Sequence, residues 1–101
     1  MKRVIKSNFA DSLDYSDLKL KADQMFSELA EIEDKEDDLD YLDTLRDMQR
    51  EFYQKYRPFA DKCKEILNTV SPSGYGRDDF RLISIRELAR KVDNNFPYGW
   101  R

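Results

Sequence analysis

The residues best placed to do chemistry are carboxylates in the first half of the chain. Between Glu28 and Asp47 the sequence sets Glu28, Glu31, Asp34, Asp37, Asp38, Asp40, Asp43 and Asp47 among regularly spaced apolar residues. Residues 11–51 hold 15 Asp and Glu against 5 Lys and Arg, a local balance of −10, although the whole chain carries only −3. The remainder has the opposite sign: Lys2, Arg3 and Lys6 precede the block, and residues 52–101 hold 10 basic groups against 6 acidic ones.

Three kinds of chemistry are open to such carboxylates. Metal binding is the first, and the run from Asp34 superficially has the look of a calcium loop. It lacks both the glycine that makes the sharp turn at the sixth position and the glutamate at the twelfth, so no metal ligand is assigned. Acid/base catalysis is the second, and it needs a pocket that separates the pKa values of two carboxyl groups. These carboxylates crowd a surface, so no catalytic residue is assigned either. Electrostatic docking is the third. A dense field of one sign on a rigid helix attracts basic surfaces, and carboxylates spaced along a rod imitate a phosphate backbone. The bland reading of the same block is a solubilising helix surface in which pairs such as Asp47 and Glu51 repel.

Other chemistry is sparse. The chain has no His, which removes imidazole acid/base work, Ser-His and Cys-His nucleophile pairs, and most zinc sites. Cys63 is the only cysteine and falls on an apolar seam between Phe59 and Ile66, where a thiol is core filler. Gly74-Tyr75-Gly76 lacks the strand and helix context of a phosphate loop and reads as a turn. Toward the C-terminus, Arg77, Arg81, Arg86, Arg90, Lys91 and Arg101 form a basic region near Tyr75, Tyr98 and Trp100, a mixture suited to phosphate contact and base stacking. The alternative there is a solvated helix face with a docked aromatic tail. Ser84 to Val92 has the flavour of the first helix of a helix-turn-helix, but no recognition helix follows Asn95. No cofactor motif is present.

The elements that position these groups are helical. Leu18, Ala22, Met25, Leu29 and Ile32 alternate in steps of four and three, the seam of an amphipathic helix, with Ser16 as its expected N-cap and Asp17 in its first turn. Residues 33–38 contain nothing apolar, and Asp competes with the helix for backbone bonds, so a turn is expected there. One uninterrupted helix is the alternative, because no Gly or Pro punctuates the stretch. Asp37 or Asp38 then caps a second pattern from Leu39 through Leu42, Leu45, Met48, Phe52, Tyr56, Phe59, Cys63, Ile66 and Val70. Pro58 either kinks this second helix or restarts it, placing a bend near Arg57.

In the last quarter, residues 80–83 suggest a short extended piece. Ser84 and Glu87 match a capping box flanked by Ile83 and Leu88, followed by a helix from Ile85 to about Val92 and an aromatic tail after Asn94 and Asn95. The expected fold is all-α: an antiparallel helical hairpin with a kinked long second helix, a short C-terminal helix and the tail. A minor two-stranded β element is added if Val4 and Ile5 pair with Leu82 and Ile83. The chain divides into an N-terminal segment (1–15), the acidic hairpin (16–70), a turn (71–79) and the basic helix and tail (80–101), all in one small domain.

The lone cysteine and the lack of any apolar membrane-length run make a cytoplasmic protein the expectation, with no membrane association. The function expected is non-enzymatic: a small inhibitor or adaptor, of the nucleic-acid-mimic type, that presents acidic helical faces to a protein partner with a basic surface. Outward carboxylates at Glu28, Glu31, Asp43 and Asp47 are expected to be the freest to make contact. Direct nucleic-acid binding through the basic C-terminal third stands second, and a structural helical oligomer, with a homodimer as its simplest form, stands third.

Overall fold

The first helix is started by Asp14. In the computed structural model, which describes residues 12–37 and 42–100, Asp14 has extended backbone angles, and its carboxylate accepts from the Ser16 and Asp17 N–H groups at 2.9 and 3.4 Å. The cap therefore lies two residues before Ser16, which is inside the helix. Asp and Ser are comparable caps, and the choice falls to Asp14 because helix from Tyr15 places Leu13 and Leu18 in the core together. Helix α1 spans Tyr15–Lys35 and buries Leu18, Ala22, Met25 and Ile32, with Leu29 half-buried on the same seam.

Helix α1 ends where the apolar residues run out. The Glu36 N–H closes the last turn on the Glu33 carbonyl, and Asp37 lies in the turn that follows. Helix α2 spans Leu42–Thr69, so the helical rod is interrupted between the two patterns. Leu39 and the caps expected of Asp37 and Asp38 involve residues 38–41, which lie outside the described ones, as do Val4, Ile5, Asp40 and Arg101.

Within α2 the chain passes through Pro58 without restarting. Proline leaves the Gln54 carbonyl without its helical donor, and Gln54 lies on the exposed side where water can serve instead. The face toward the rest of the protein buries Leu45, Phe52, Tyr56, Phe59, Cys63 and Ile66, as their spacing predicts.

Helices α1 and α2 run antiparallel. Glu28 meets Lys55 and Tyr56, Ile32 shares a groove with Met48, and Leu18 shares one with Phe59. Residues 70–79 then turn the chain through a series of backbone bonds, among them Ser71 N–H to the Tyr75 carbonyl at 2.9 Å. Gly76 adopts φ +83°, and an added Cβ would lie 3.0 Å from Val70 Cγ1 and 3.1 Å from Leu82 Cδ1.

Helix α3 spans Phe80–Asn95, a full turn longer at its start than the capping box implies. Asp79 is its N-cap, accepting from the Arg81 N–H at 2.9 Å, so residues 80–83 are helical and Ser84 is an exposed mid-helix residue. This corrects both the extended piece and the helix start. Initiation at Asp79 brings Leu82 onto the buried stripe of Ile85, Ala89 and Val92, which a start at Ile85 would forgo. It also removes Leu82 and Ile83 as partners for a strand, and the described residues contain no strand.

The third helix lies antiparallel to α2, with Leu82 near Val70 and Phe96 stacked on Phe52, and it crosses onto α1, where Lys91 sits over the Phe26 ring. The core lies between the three helices. Its far end is closed by the tail: Phe96 is buried against Phe52 and Tyr53, Tyr98 packs edge-on against Phe96, and Trp100 meets Phe52 edge-on. Beyond this level the hairpin extends past α3, over residues 29–37 and 42–51, for roughly 13 Å, with Gly99 and Trp100 of the tail alongside Arg46, Gln49 and Arg50. No described helix is long and apolar enough to cross a membrane.

Candidate interaction surface

The uncovered end of the hairpin carries most of the acidic residues picked out by the sequence. Glu31, Asp34 and Asp37 on α1 and its turn, and Asp43 and Asp47 on α2, are all exposed, with Glu33, Glu36 and Glu51 among them. Arg50 approaches Asp47 at 3.9 Å. Asp38 and Asp40 belong to the undescribed connection. No group of described residues has the arrangement of a metal site.

Glu28 behaves differently and corrects the expectation that it points freely outward. Its Oε2 accepts from the Tyr56 hydroxyl and from Lys55 Nζ at 2.9 Å, bridging α1 to α2. Desolvation pushes this carboxyl up, but the Tyr56 and Lys55 hydrogen bonds, with the charges of Lys55 and Lys21, outweigh it and hold Glu28 below its ordinary range. Burial, and after it the hydrogen bond to Glu28, raise the Tyr56 phenol. Tyr56 has to be buried to fill the core, and its hydroxyl needs an acceptor there. Glu28 is that acceptor, at the edge of a groove lined by Glu31, Met48, Glu51 and Lys55.

Most cations of the basic C-terminal third have partners within the fold. Arg86 donates from Nε to the Val70 carbonyl at 2.9 Å, and Arg81 donates from Nη1 to the Leu13 carbonyl at 3.4 Å. Arg90 is bonded to Glu87, Arg77 lies 3.6 Å from Asp78, and Lys91 caps the Phe26 ring at 5.2 Å. Arg81, Arg86 and Lys91 thus link separate segments, whereas Arg77 and Arg90 pair locally. Arg101 lies outside the described residues. Of the aromatics beside them, Tyr98 donates to Asp93 at 2.9 Å and carries Lys64 over its ring, and Tyr75 is half-buried against the core.

Cys63 is 1% exposed, and burial, reinforced by the charge of Asp93, pushes its thiol up to about 12. The nucleophilic form is thus suppressed at neutral pH.

A set of residues not singled out by the sequence stands beside the tail. Arg46, Gln49 and Arg50 of α2 line a cleft with Gly99 and Trp100. Arg46 and Arg50 are a helical turn apart on one face, a spacing visible in the sequence but masked by the acidic residues around them. That Trp100 folds back to this face depends on tertiary structure. No family model, no curated protein and no solved structure matches the chain.

Proposed function

We propose that this chain is a non-enzymatic interaction protein, an inhibitor or adaptor that presents the acidic end of its helical hairpin to a protein partner with a basic surface. The observation that carries this reading is the exposure of Glu31, Asp34, Asp37, Asp43 and Asp47 on a two-helix projection that the third helix leaves uncovered. Carboxylates held on a helical framework lose little freedom on docking, and their common sign steers a basic surface toward them. A partner that ordinarily grips nucleic-acid phosphates meets a comparable charge array here.

Capture of partners from a host lysate on the immobilised protein, at low and high salt and with nucleic acid digested in parallel, tests the reading. A protein retained at low salt, released by salt and indifferent to nuclease is the expected result. Charge reversal at Asp34, Asp37, Asp43 and Asp47 together should abolish that retention. Retention unaffected by the reversal sinks the proposal.

A further inference from the structure

On the tail side of α2 the charge pattern changes. Arg46 and Arg50 are exposed one turn apart, which places their Cβ atoms about 5–6 Å from each other, a span that two guanidiniums can close around one oxyanion. Arg50 has only the 3.9 Å approach of Asp47, and Arg46 has no ion pair among the described residues. Beside them lies the half-buried indole of Trp100. Its ring is set by edge contact with Phe52 at 5.8 Å, and its backbone N–H donates to the Pro97 carbonyl at 3.3 Å. Gln49 adds an amide with both donor and acceptor capacity. Gly99 contributes no side chain, and the space a Cβ would enter is open to 4 Å.

We propose that the cleft formed by Arg46, Gln49, Arg50, Gly99 and Trp100 binds a nucleotide, with the base on the Trp100 indole and the phosphate between Arg46 and Arg50. A fixed aromatic plane next to paired guanidiniums is the combination that recognises a planar ring bearing an oxyanion. Gln49 is within the same cleft to meet the edge of the base. The same face of α2 continues through Arg57 to Lys64, which provides a track for further phosphates if the nucleotide belongs to a single strand. Both of these have local partners: Arg57 pairs with Asp61, and Lys64 lies over Tyr98. The site lies on the tail side of the same helical projection, next to Asp47, but does not depend on the reading given for the acidic surface.

The chain contains one tryptophan, so its single indole N–H resonance reports directly on the cleft. Titration of the isotopically labelled protein at low salt with dAMP, with an eight-residue oligodeoxyadenylate, with inorganic phosphate and with a hexaglutamate peptide tests the assignment. A saturable shift of the indole resonance by dAMP or the oligonucleotide, and not by phosphate or hexaglutamate, is expected. Arg46→Gln and Arg50→Gln should each weaken it about tenfold. Gly99→Leu, whose Cβ meets no protein atom within 4 Å, adds bulk at the cleft and should weaken it at least about fivefold. Asp47→Asn removes the nearest repelling charge and should tighten binding about two- to threefold. If the oligonucleotide binds more tightly and Arg57→Gln with Lys64→Gln weakens it alone, the ligand is a strand; equal affinity per nucleotide and no such effect make it a free nucleotide. No saturable shift up to about 10 mM dAMP, an equal shift by phosphate or hexaglutamate, or indifference to the arginine variants overturns the proposal.

Discussion

The Tyr56 hydroxyl donates to Glu28 across the interface of the first two helices, and this one bond takes a carboxylate out of the acidic surface and puts it to work holding the hairpin closed. Lys55 completes the bridge from the solvent side at 2.9 Å. The groove that follows along the interface is therefore acidic at Glu31 and Glu51 but neutralised at Glu28.

This bridge gives the protein an acid-sensitive term. Glu28 is held below its ordinary 4.5 in the folded state, so its stabilisation is fully present above the unfolded-state value and is lost as pH falls through the lower folded-state value. Glu28→Gln should cost about 0.5–1 kcal/mol at pH 7, a modest figure because the side chain is 37% exposed and screened. Denaturant unfolding across the acid range checks it: the difference between variant and parent should shrink as pH falls below the ordinary carboxylate range.

Capping of the third helix separates two candidate start points. Asp79→Ala should cost about 1 kcal/mol, since it leaves the Arg81 N–H without its acceptor. Ser84→Ala should stay within about 0.5 kcal/mol of the parent, as a mid-helix exposed position. Equilibrium unfolding of both variants measures the difference, and a larger loss at Ser84 would contradict the assigned start.

Gly76 is required by its backbone and by its neighbours. Gly76→Ala combines a positive φ with contacts of 3.0 and 3.1 Å to Val70 and Leu82, for an expected loss of about 1–2 kcal/mol. Gly74→Ala meets only Ser71, at 3.4 Å, and should be close to neutral. Thermal unfolding of the pair isolates the effect of position 76.

Cys63 should be inert to a thiol-disulfide reagent at pH 8 in the folded protein and react fully in denaturant, because its thiol is buried and pushed up to about 12. Its neutral form favours the folded state at and below the ordinary thiol range, and that contribution is lost as pH rises from about 9 toward 12. Labelling followed by absorbance, at several denaturant concentrations, gives the opening free energy as well.

Much of the helical architecture was legible in local pattern. The three-and-four alternation from Leu18 to Ile32 and from Leu45 to Ile66 matches the buried faces, because one stripe of a helix must leave water and its period is fixed by helix geometry. The start of α3 was misread because two capping signals compete within six residues. Asp79 prevails over Ser84 by bringing Leu82 into the core, a reward that local capping energies do not register. Asp14 prevails over Ser16 in the same way through Leu13.

The surface was less legible than the core. Glu28 and Asp43 look alike in sequence, yet one faces a buried tyrosine and the other faces solvent. Arg86 and Arg81 look like phosphate ligands and are drawn instead to the backbone carbonyls of Val70 and Leu13.

By itself the amino-acid sequence determined the helical class, the apolar faces, the polarity of charge along the chain and the inertness of Cys63's position, since each follows from composition or from a period of 3.6 residues. Tertiary structure alone decided which charges remain free. Whether a carboxylate or guanidinium is spent or available depends on a partner that folding brings from 27 residues away for Glu28 and Lys55, or 68 for Arg81 and Leu13. The placement of Trp100 beside Arg46 and Arg50 is a product of the same long-range packing, because Phe96 and Trp100 of the tail both dock on Phe52, more than 40 residues away in sequence.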